Sequence, residues 1–319
     1  MANVLIIGCG DIGQHTAARL IKNQHNVFGL RRSPPTSTSI GASKDLHANT
    51  PAAIHWITAD LTRPETLEQL TDQFEYILYM PAPKRSADAS LEQTYRSVFL
   101  EGLTHVIAKA EQFQKLKRFI FISSVSVFGQ NQGSWVNENE PPLPKRFNGE
   151  ILLEAEQRIG QASFPSSTVR LAGIYGPGRH RLIDNVSKGC RIQSEPPKYT
   201  NRIHSHDCAE LLNFLIQQDL QDTPLQPLYV GVDDHPCSEQ EINQWIFQRL
   251  NEYGQNPNPY TIDNTATAQN KRCSNQAIKS LGYQFIYPSY QTGYVDVIKD
   301  YVNKQQNTPP SEHPTKTKS

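Results

Sequence analysis

The chain of 319 residues lacks any apolar run near the ~20 residues that a membrane span requires. It also lacks a charge of one sign, since Lys plus Arg and Asp plus Glu number 31 each. That balance leaves no basic footprint for nucleic acid or for an anionic membrane surface. Cysteine is sparse and scattered. Cys9, Cys190, Cys208, Cys237 and Cys273 form an odd set, with no pair at the C-x-x-C spacing. Neither disulfides nor a metal centre are expected, and free thiols suit a cytoplasmic setting. A strand pattern begins by Asn3, so no secretory leader is expected. No internal repeat is visible. What is present is a hydrophobic share of 37%, below the usual level but enough for a buried core under a well-wetted surface.

Apolar strands alternate with helical patterns through the first half. Strands are expected over Asn3–Ile7, Asn26–Leu30, Ile54–Thr58, Tyr76–Met80, Arg118–Ser123 and Ser167–Ala172. Helices are expected over Gln14–Ile21, Ser90–Gln112 and Glu150–Gly160, and over Arg63–Leu70 with Thr62 as its N-cap and Pro64 in its first turn. This alternation predicts an α/β fold, a Rossmann-type doubly wound parallel sheet. The polar stretch Arg32–Pro51, with Pro34-Pro35, reads as an irregular loop. Beyond Gly176 the pattern loosens into helices expected over Asp207–Gln217, Ser238–Leu250, Asn275–Leu281 and Tyr294–Val302. The expected organisation is a dinucleotide-binding domain over residues 1–176 and a smaller C-terminal α/β substrate lobe over 177–304, interleaved with the first. A disordered tail without apolar residues is expected over 305–319.

The opening segment carries a specific signal. Gly8-Cys9-Gly10-Asp11-Ile12-Gly13 fits G-x-G-x-x-G between a strand and a helix. The first glycine makes a tight turn and the second lets backbone approach a pyrophosphate. The third lets the helix pack close to the sheet, while the helix N-terminus offers N–H groups and a positive dipole end. These six residues are expected to hold a dinucleotide, with Cys9 a small residue facing it rather than a nucleophile. The second strand ends in Leu30-Arg31-Arg32, without the acid that would bind the ribose 2′-OH of NAD. Two guanidiniums suit a 2′-phosphate instead, so NADP(H) is preferred over NAD(H). After the third strand, Asp60-Leu61 either touches the adenine or helps to start the next helix.

Further motifs follow in order: Tyr79–Pro83 (YMPAP), Ser123–Gly129 (SSVSVFG), Val169–Gly178 (VRLAGIYGPG) and Arg202–Ala209 (RIHSHDCA). Together with the glycine loop and Asp60-Leu61 they resemble the extended and atypical short-chain dehydrogenase/reductase superfamily, which includes nucleotide-sugar epimerases and dehydratases. The resemblance covers nearly the whole chain. It implies that Ser124, five residues before Gly129, stands where a Ser or Thr bonds the substrate oxygen at the reacting carbon. The bare residue reading is a strand-end serine satisfied by backbone. The resemblance also implies that Tyr79, Met80, Pro81 and Ala82 pass under the cofactor, with Ser123 among the contacts. Leu171 to Tyr175 would border the nicotinamide and substrate. His204 and Asp207 would start a helix and order the lobe boundary, Asp207 as N-cap or first-turn acid.

One element of that superfamily is missing. Its proton chemistry rests on Tyr-x-x-x-Lys, where the lysine lowers the tyrosine pKa and holds the nicotinamide ribose. Here the frame falls on Asn148-Gly149-Glu150-Ile151-Leu152, with Glu156 four residues on. Asn148 takes the place of the tyrosine and Leu152 that of the lysine. No tyrosine lies between Tyr95 and Tyr175, and no lysine between Lys145 and Lys188. Another acid is one answer, with Tyr79, Tyr175, His204 and Glu150 as candidates; Ser124 with water is a second. The expected function is an NAD(P)-dependent oxidoreductase or epimerase-like activity on an unassigned small molecule. The alternative is a non-catalytic NADP(H)-binding redox sensor or partner-binding module. Arg179, His180, Arg181, Lys198 and Arg202 either receive an anionic sugar or nucleotide sugar, or form a solvated basic loop. Superfamily members often pair through two helices, here Ser90–Gln112 and Glu150–Gly160, but atypical ones often do not. A monomer or weak homodimer is expected, with no nucleic acid, membrane or metal partner.

Overall fold

The computed structural model describes residues 1–33, 53–83, 88–265 and 270–307. The buried run Asn3–Ile7 forms β1, and Asp11–Lys22 follows as α1. Next come β2 (Asn26–Arg31), β3 (His55–Thr58) and β4 (Tyr76–Tyr79). The long helical stretch divides into α2 (Leu91–Arg96), a π-helical segment Ser97–Gly102 and α3 (Leu103–Ala110). Then follow β5 (Arg118–Ser124), β6 (Ser134–Val136), α4 (Phe147–Gly160), β7 (Ser166–Leu171) and β8 (Gly173–Tyr175). The remainder comprises α5 (Arg181–Ser187), β9 (Arg191–Ile192), β10 (Tyr199–Thr200), β11 (Arg202–His204), α6 (Ser205–Leu220) and β12 (Leu228–Gly231). Last are β13 (Cys237–Ser238), α7 (Glu239–Glu252), β14 (Thr261–Ile262), β15 (Lys271–Cys273), α8 (Gln276–Ser280) and α9 (Tyr290–Asn307).

Seven strands pair in the order β12-β7-β5-β4-β1-β2-β3, all parallel. The chain leaves β1 toward β2 and β3, then returns to the other side of β1 through β4. Right-handed crossovers put the helices of the two halves on opposite faces, which leaves a crevice at the carboxyl ends of β1 and β4. The doubly wound parallel sheet expected from the sequence is therefore the observed fold. Residues 177–304 are not all separate from it, because β12 completes the sheet beside β7. A second apolar core, with Ile183, Ile242, Ile246, Leu250, Val297 and Ile298, forms among α5, α7 and α9.

Three local expectations change. The helix expected at Arg63–Leu70 is only a 3₁₀ turn, Pro64–Leu67, with Arg63 rather than Thr62 at its cap. Side chains hold the chain there instead: Asp60 Oδ1 accepts from Thr62 N at 3.1 Å and from the Thr62 hydroxyl at 2.9 Å. The helix at Ser90–Gln112 starts with a full capping box between Ser90 and Gln93, then loosens into the π segment. There the buried Tyr79 hydroxyl donates to Val98 O at 2.5 Å, drawing a main-chain acceptor toward the sheet. Helix α9 includes Gln305–Asn307, which the sequence assigned to the tail; 308–319 lies outside the described residues. So does the Arg32–Pro51 loop from Pro34 onward. Among the described residues no helix is long and apolar enough to cross a membrane, and no acid–His–Cys group could hold a metal.

Candidate functional site

The three glycines of the first loop meet three different constraints. Gly8 has φ +78°, and a Cβ there would lie 2.3 Å from Pro81 Cα, so the turn seats itself against the segment after β4. Gly10 faces open space, its nearest neighbour for such a Cβ being Gly8 O at 3.8 Å. Gly13 would place a Cβ 3.2 Å from Ile6 Cγ2, the closeness that lets α1 pack on β1. Main-chain N–H groups of Gly8 and Cys9 both donate to Leu30 O, tying the loop to β2. Gly10 caps α1 without a side chain, so the helix N-terminus is left for an outside acceptor. Ile12 is buried under the loop. The expectation for Cys9 is corrected. Its thiol is fully buried against Gly13, and burial pushes its pKa up to about 12, so the side chain does not face the crevice.

The charged groups around this loop divide. Asp11 pairs with Arg179 at 2.6 Å and with His15 at 3.5 Å. The His15 hydrogen bond and the Arg179 guanidinium hold its pKa down at about 2 against a smaller burial penalty. Arg31 lies 6.0 Å from the Trp56 ring centre, and Gly29 on β2 makes room for that indole. Neither Arg31 nor the exposed Arg32 has an acidic partner among the described residues. Asp60 is committed to its own turn, as above, and Leu61 is buried with its carbonyl 2.8 Å from His105 Nδ1. Of the adenine and helix-start readings, the geometry gives Asp60 a local structural task.

On the reaction side most candidates turn out to be sequestered. Tyr79 is fully buried, stacked on Phe119 and Phe121, so its side chain lies in the core rather than under a cofactor. Burial pushes its hydroxyl far above the ordinary range. Met80 is half-buried and its N–H donates to Ile7 O at 2.9 Å; Pro81 meets Gly8. Ser123 donates to Glu156 Oε1 at 2.5 Å. Glu156 also takes the buried Arg170 guanidinium, with Nη2 at 2.6 Å from Oε2, so Ser123 belongs to a buried network. Leu171 packs toward Gly231 within the sheet. Tyr175 is buried, stacked on Tyr294 at 4.5 Å, and its hydroxyl donates to Ser289 O. His204 caps α6 by accepting from His206 N at 3.1 Å, and burial drives its pKa down to about 3. Asp207 sits in the first turn of that helix, not at the cap. Its carboxylate takes Ile286 N, Tyr287 N and the Tyr283 hydroxyl, binding the chain before α9 to α6. Tyr79, Tyr175 and His204 are thus removed as proton donors.

What stays at the surface of the crevice is shorter. Ser124 is half-buried at the end of β5, and its Oγ accepts from Ser126 N at 3.1 Å, which leaves its own proton to give. Glu150 is exposed in the first turn of α4. Asn148 is half-buried at the start of that helix, while Leu152 is 4% exposed in the main core. An open surface pocket of about 690 Å³ is lined by Gly178, Arg179, His180, Arg181, Asp184 and Lys188. Lys198 and Arg202 do not reach it as free cations. Lys198 pairs with Glu239 at 3.1 Å, and Arg202 bonds Thr200 Oγ1 and Cys237 Sγ. Sequence reasoning missed the Arg179–Asp11 pair and the Ser123–Glu156–Arg170 network, since each joins residues far apart in the chain.

Comparison with known proteins fits this geometry. The model of the NAD dependent epimerase/dehydratase family matches residues 4–222. The chain belongs to that family. A solved structure from Methylobacillus flagellatus, provisionally designated an NAD-dependent epimerase/dehydratase, is 31% identical with a TM-score of 0.72, over 94% of this chain and 98% of that one. UDP-glucose 4-epimerase of Thermotoga maritima, solved with UDP-glucose, is 18% identical with a TM-score of 0.72, over 95% of this chain and 99% of that one. At that identity the likeness shows the shared fold. Protein YeeZ of Escherichia coli strain K12 is 29% identical over 192 residues, covering 56% of this chain. That match spans 61% of YeeZ, about three fifths of its length. The family is described as NAD dependent, and an uncapped helix N-terminus with open space over Gly10 fits a dinucleotide diphosphate.

Proposed function

We propose that the chain binds NADP(H) and acts as an oxidoreductase or epimerase-like enzyme on a small anionic molecule of the sugar or nucleotide-sugar kind. The observation that carries the cofactor part is the glycine loop with Arg31 and Arg32 beside it, without an acid at the end of β2. Gly8, Gly10, Asp11 and Gly13 would border the diphosphate, and Arg31 with Arg32 the 2′-phosphate. The dinucleotide supplies or accepts a hydride when bound. Ser124 then holds the reacting oxygen of the substrate through its free proton, while Ser126 N fixes its Oγ from behind. Arg181 and Lys188 draw the anionic end into the pocket, and His180, held by Asp300 at 3.2 Å, steadies that wall. Asn148 and Leu152 supply neither proton nor ammonium, so the proton exchanges through Ser124 and water.

A second reading, a non-catalytic NADP(H) sensor, is favoured by the sequestration of Tyr79, Tyr175 and His204 together with the burial of Leu152. Fluorescence titration with NADPH separates both from a bare scaffold, and no binding at high cofactor concentration sinks the proposal. Hydride exchange across alcohols, aldehydes and nucleotide sugars then separates enzyme from sensor. For the enzyme, Ser124→Ala lowers turnover about 100-fold with NADPH affinity unchanged; equal turnover removes Ser124 from the reaction. We also infer a monomer or weak dimer, because Arg96, Glu92, Arg158 and Glu154 on the helices that pair in relatives are satisfied within the chain. Light scattering tests it.

A further inference from the structure

The glycine loop contains one charged residue, Asp11, the first residue of α1. A carboxylate there and the diphosphate of a dinucleotide draw on the same helix N-terminus, whose Gly10 cap brings no side chain. Two anions at one helix end repel each other. Asp11 is, however, already matched. Arg179 Nη1 stands 2.6 Å from its Oδ2, whereas His15 Nε2 lies 3.5 Å from Oδ1 and is charged only when protonated. Arg179 comes from outside the β1–α1 unit. It follows Gly178, at φ +76°, and precedes His180, which is bound to Asp300 of α9. The guanidinium is therefore anchored on the second core and reaches across to the loop. Its side chain remains 31% exposed.

We propose that Arg179 is a positioning residue for the dinucleotide: it holds and neutralises Asp11 at the mouth of the glycine loop, so that the second lobe supplies a charge without which the loop repels the diphosphate. The inference rests on the dinucleotide reading above. It also explains how an acid is tolerated inside a phosphate-binding motif.

The test is NADPH fluorescence titration of the full chain as wild type, Arg179→Gln, Arg179→Lys, Asp11→Asn and the Asp11→Asn/Arg179→Gln double variant. Thermal melts alongside check that each variant is folded. The expected result is a Kd at least threefold weaker for Arg179→Gln, as follows from an unmatched charge a few ångströms from the ligand in a partly wet site. Arg179→Lys keeps most of the affinity. The double variant recovers at least half of the logarithmic loss, because removing Asp11 removes the repulsion. A smaller loss in Arg179→Gln, or no recovery in the double variant, overturns the proposal; a tether with a purely structural task gives no such rescue. Absence of NADPH binding in the wild type is a separate outcome, read before any substitution, and it sinks the dinucleotide reading itself.

Discussion

The glycine loop and the β5–α4 segment stand on the same edge of one sheet, yet they are constrained by different physics. At the loop, backbone must pass where no Cβ fits: Gly8 against Pro81, Gly13 against Ile6. Those demands tolerate little change, and the motif stays whole. At β5–α4 the scaffold is equally well made, with Glu156 holding Ser123 and Arg170. There the positions expected from the resemblance to hold the proton-transfer pair carry Asn148 and Leu152, and Leu152 lies in the core. A binding site and a reaction site can thus drift apart within one crevice, since the first is built from backbone and the second from a few side chains.

The strongest way to break this contrast is Glu156→Ala. It leaves the buried Arg170 charge unpaired and Ser123 without its acceptor, and should cost about 3–5 kcal/mol in urea unfolding. A loss under 1 kcal/mol would mean that the β5–α4 scaffold is as loose as its chemistry. Next comes Gly8→Ala, where a strained φ and a clash with Pro81 backbone should cost about 3 kcal/mol and abolish NADPH binding. Retained binding would show that the loop is not backbone-limited. Arg31→Ala sharpens the comparison within the loop: NADP(H) affinity should fall about tenfold while NAD(H) affinity holds. Equal loss for both would remove the 2′-phosphate role.

The smallest effect concerns pH. Asp233 is buried with Oδ1 on His235 N and Oδ2 unpartnered, and burial raises its pKa from 3.8 to about 8. The folded chain keeps a proton that the unfolded chain releases, so stability from this group is full below about pH 4 and is lost as pH climbs toward 8. Asp233→Asn keeps the His235 contact and removes that slope. It should gain about 1 kcal/mol on the wild type at pH 8 and nothing at pH 4, by urea midpoint. A constant difference across that range would show that Asp233 does not titrate in it.

Much was legible in the residues alone. The parallel sheet followed from apolar strands alternating with helices, because a strand buried on both faces reads as a continuous apolar run. The glycine loop was readable because it is a local pattern with fixed spacing. The short turn at Pro64–Leu67 was not, since Asp60, Thr62 and Thr66 compete with the helix for the same main-chain groups. Nor was the fate of the hydroxyls. Tyr79 and Tyr175 look like available acids in a one-dimensional reading, but one lies beneath the sheet on Val98 O and the other behind Gly293 on Ser289 O.

By itself, then, the sequence determined the parallel sheet and the glycine loop, since periodicity and glycine placement are properties of neighbouring residues. Only the tertiary structure decided which side chains remain free to act. Burial and partnership depend on residues brought together from distant parts of the chain: Arg179 on Asp11, Glu156 between Ser123 and Arg170, and Asp207 holding Ile286 and Tyr287.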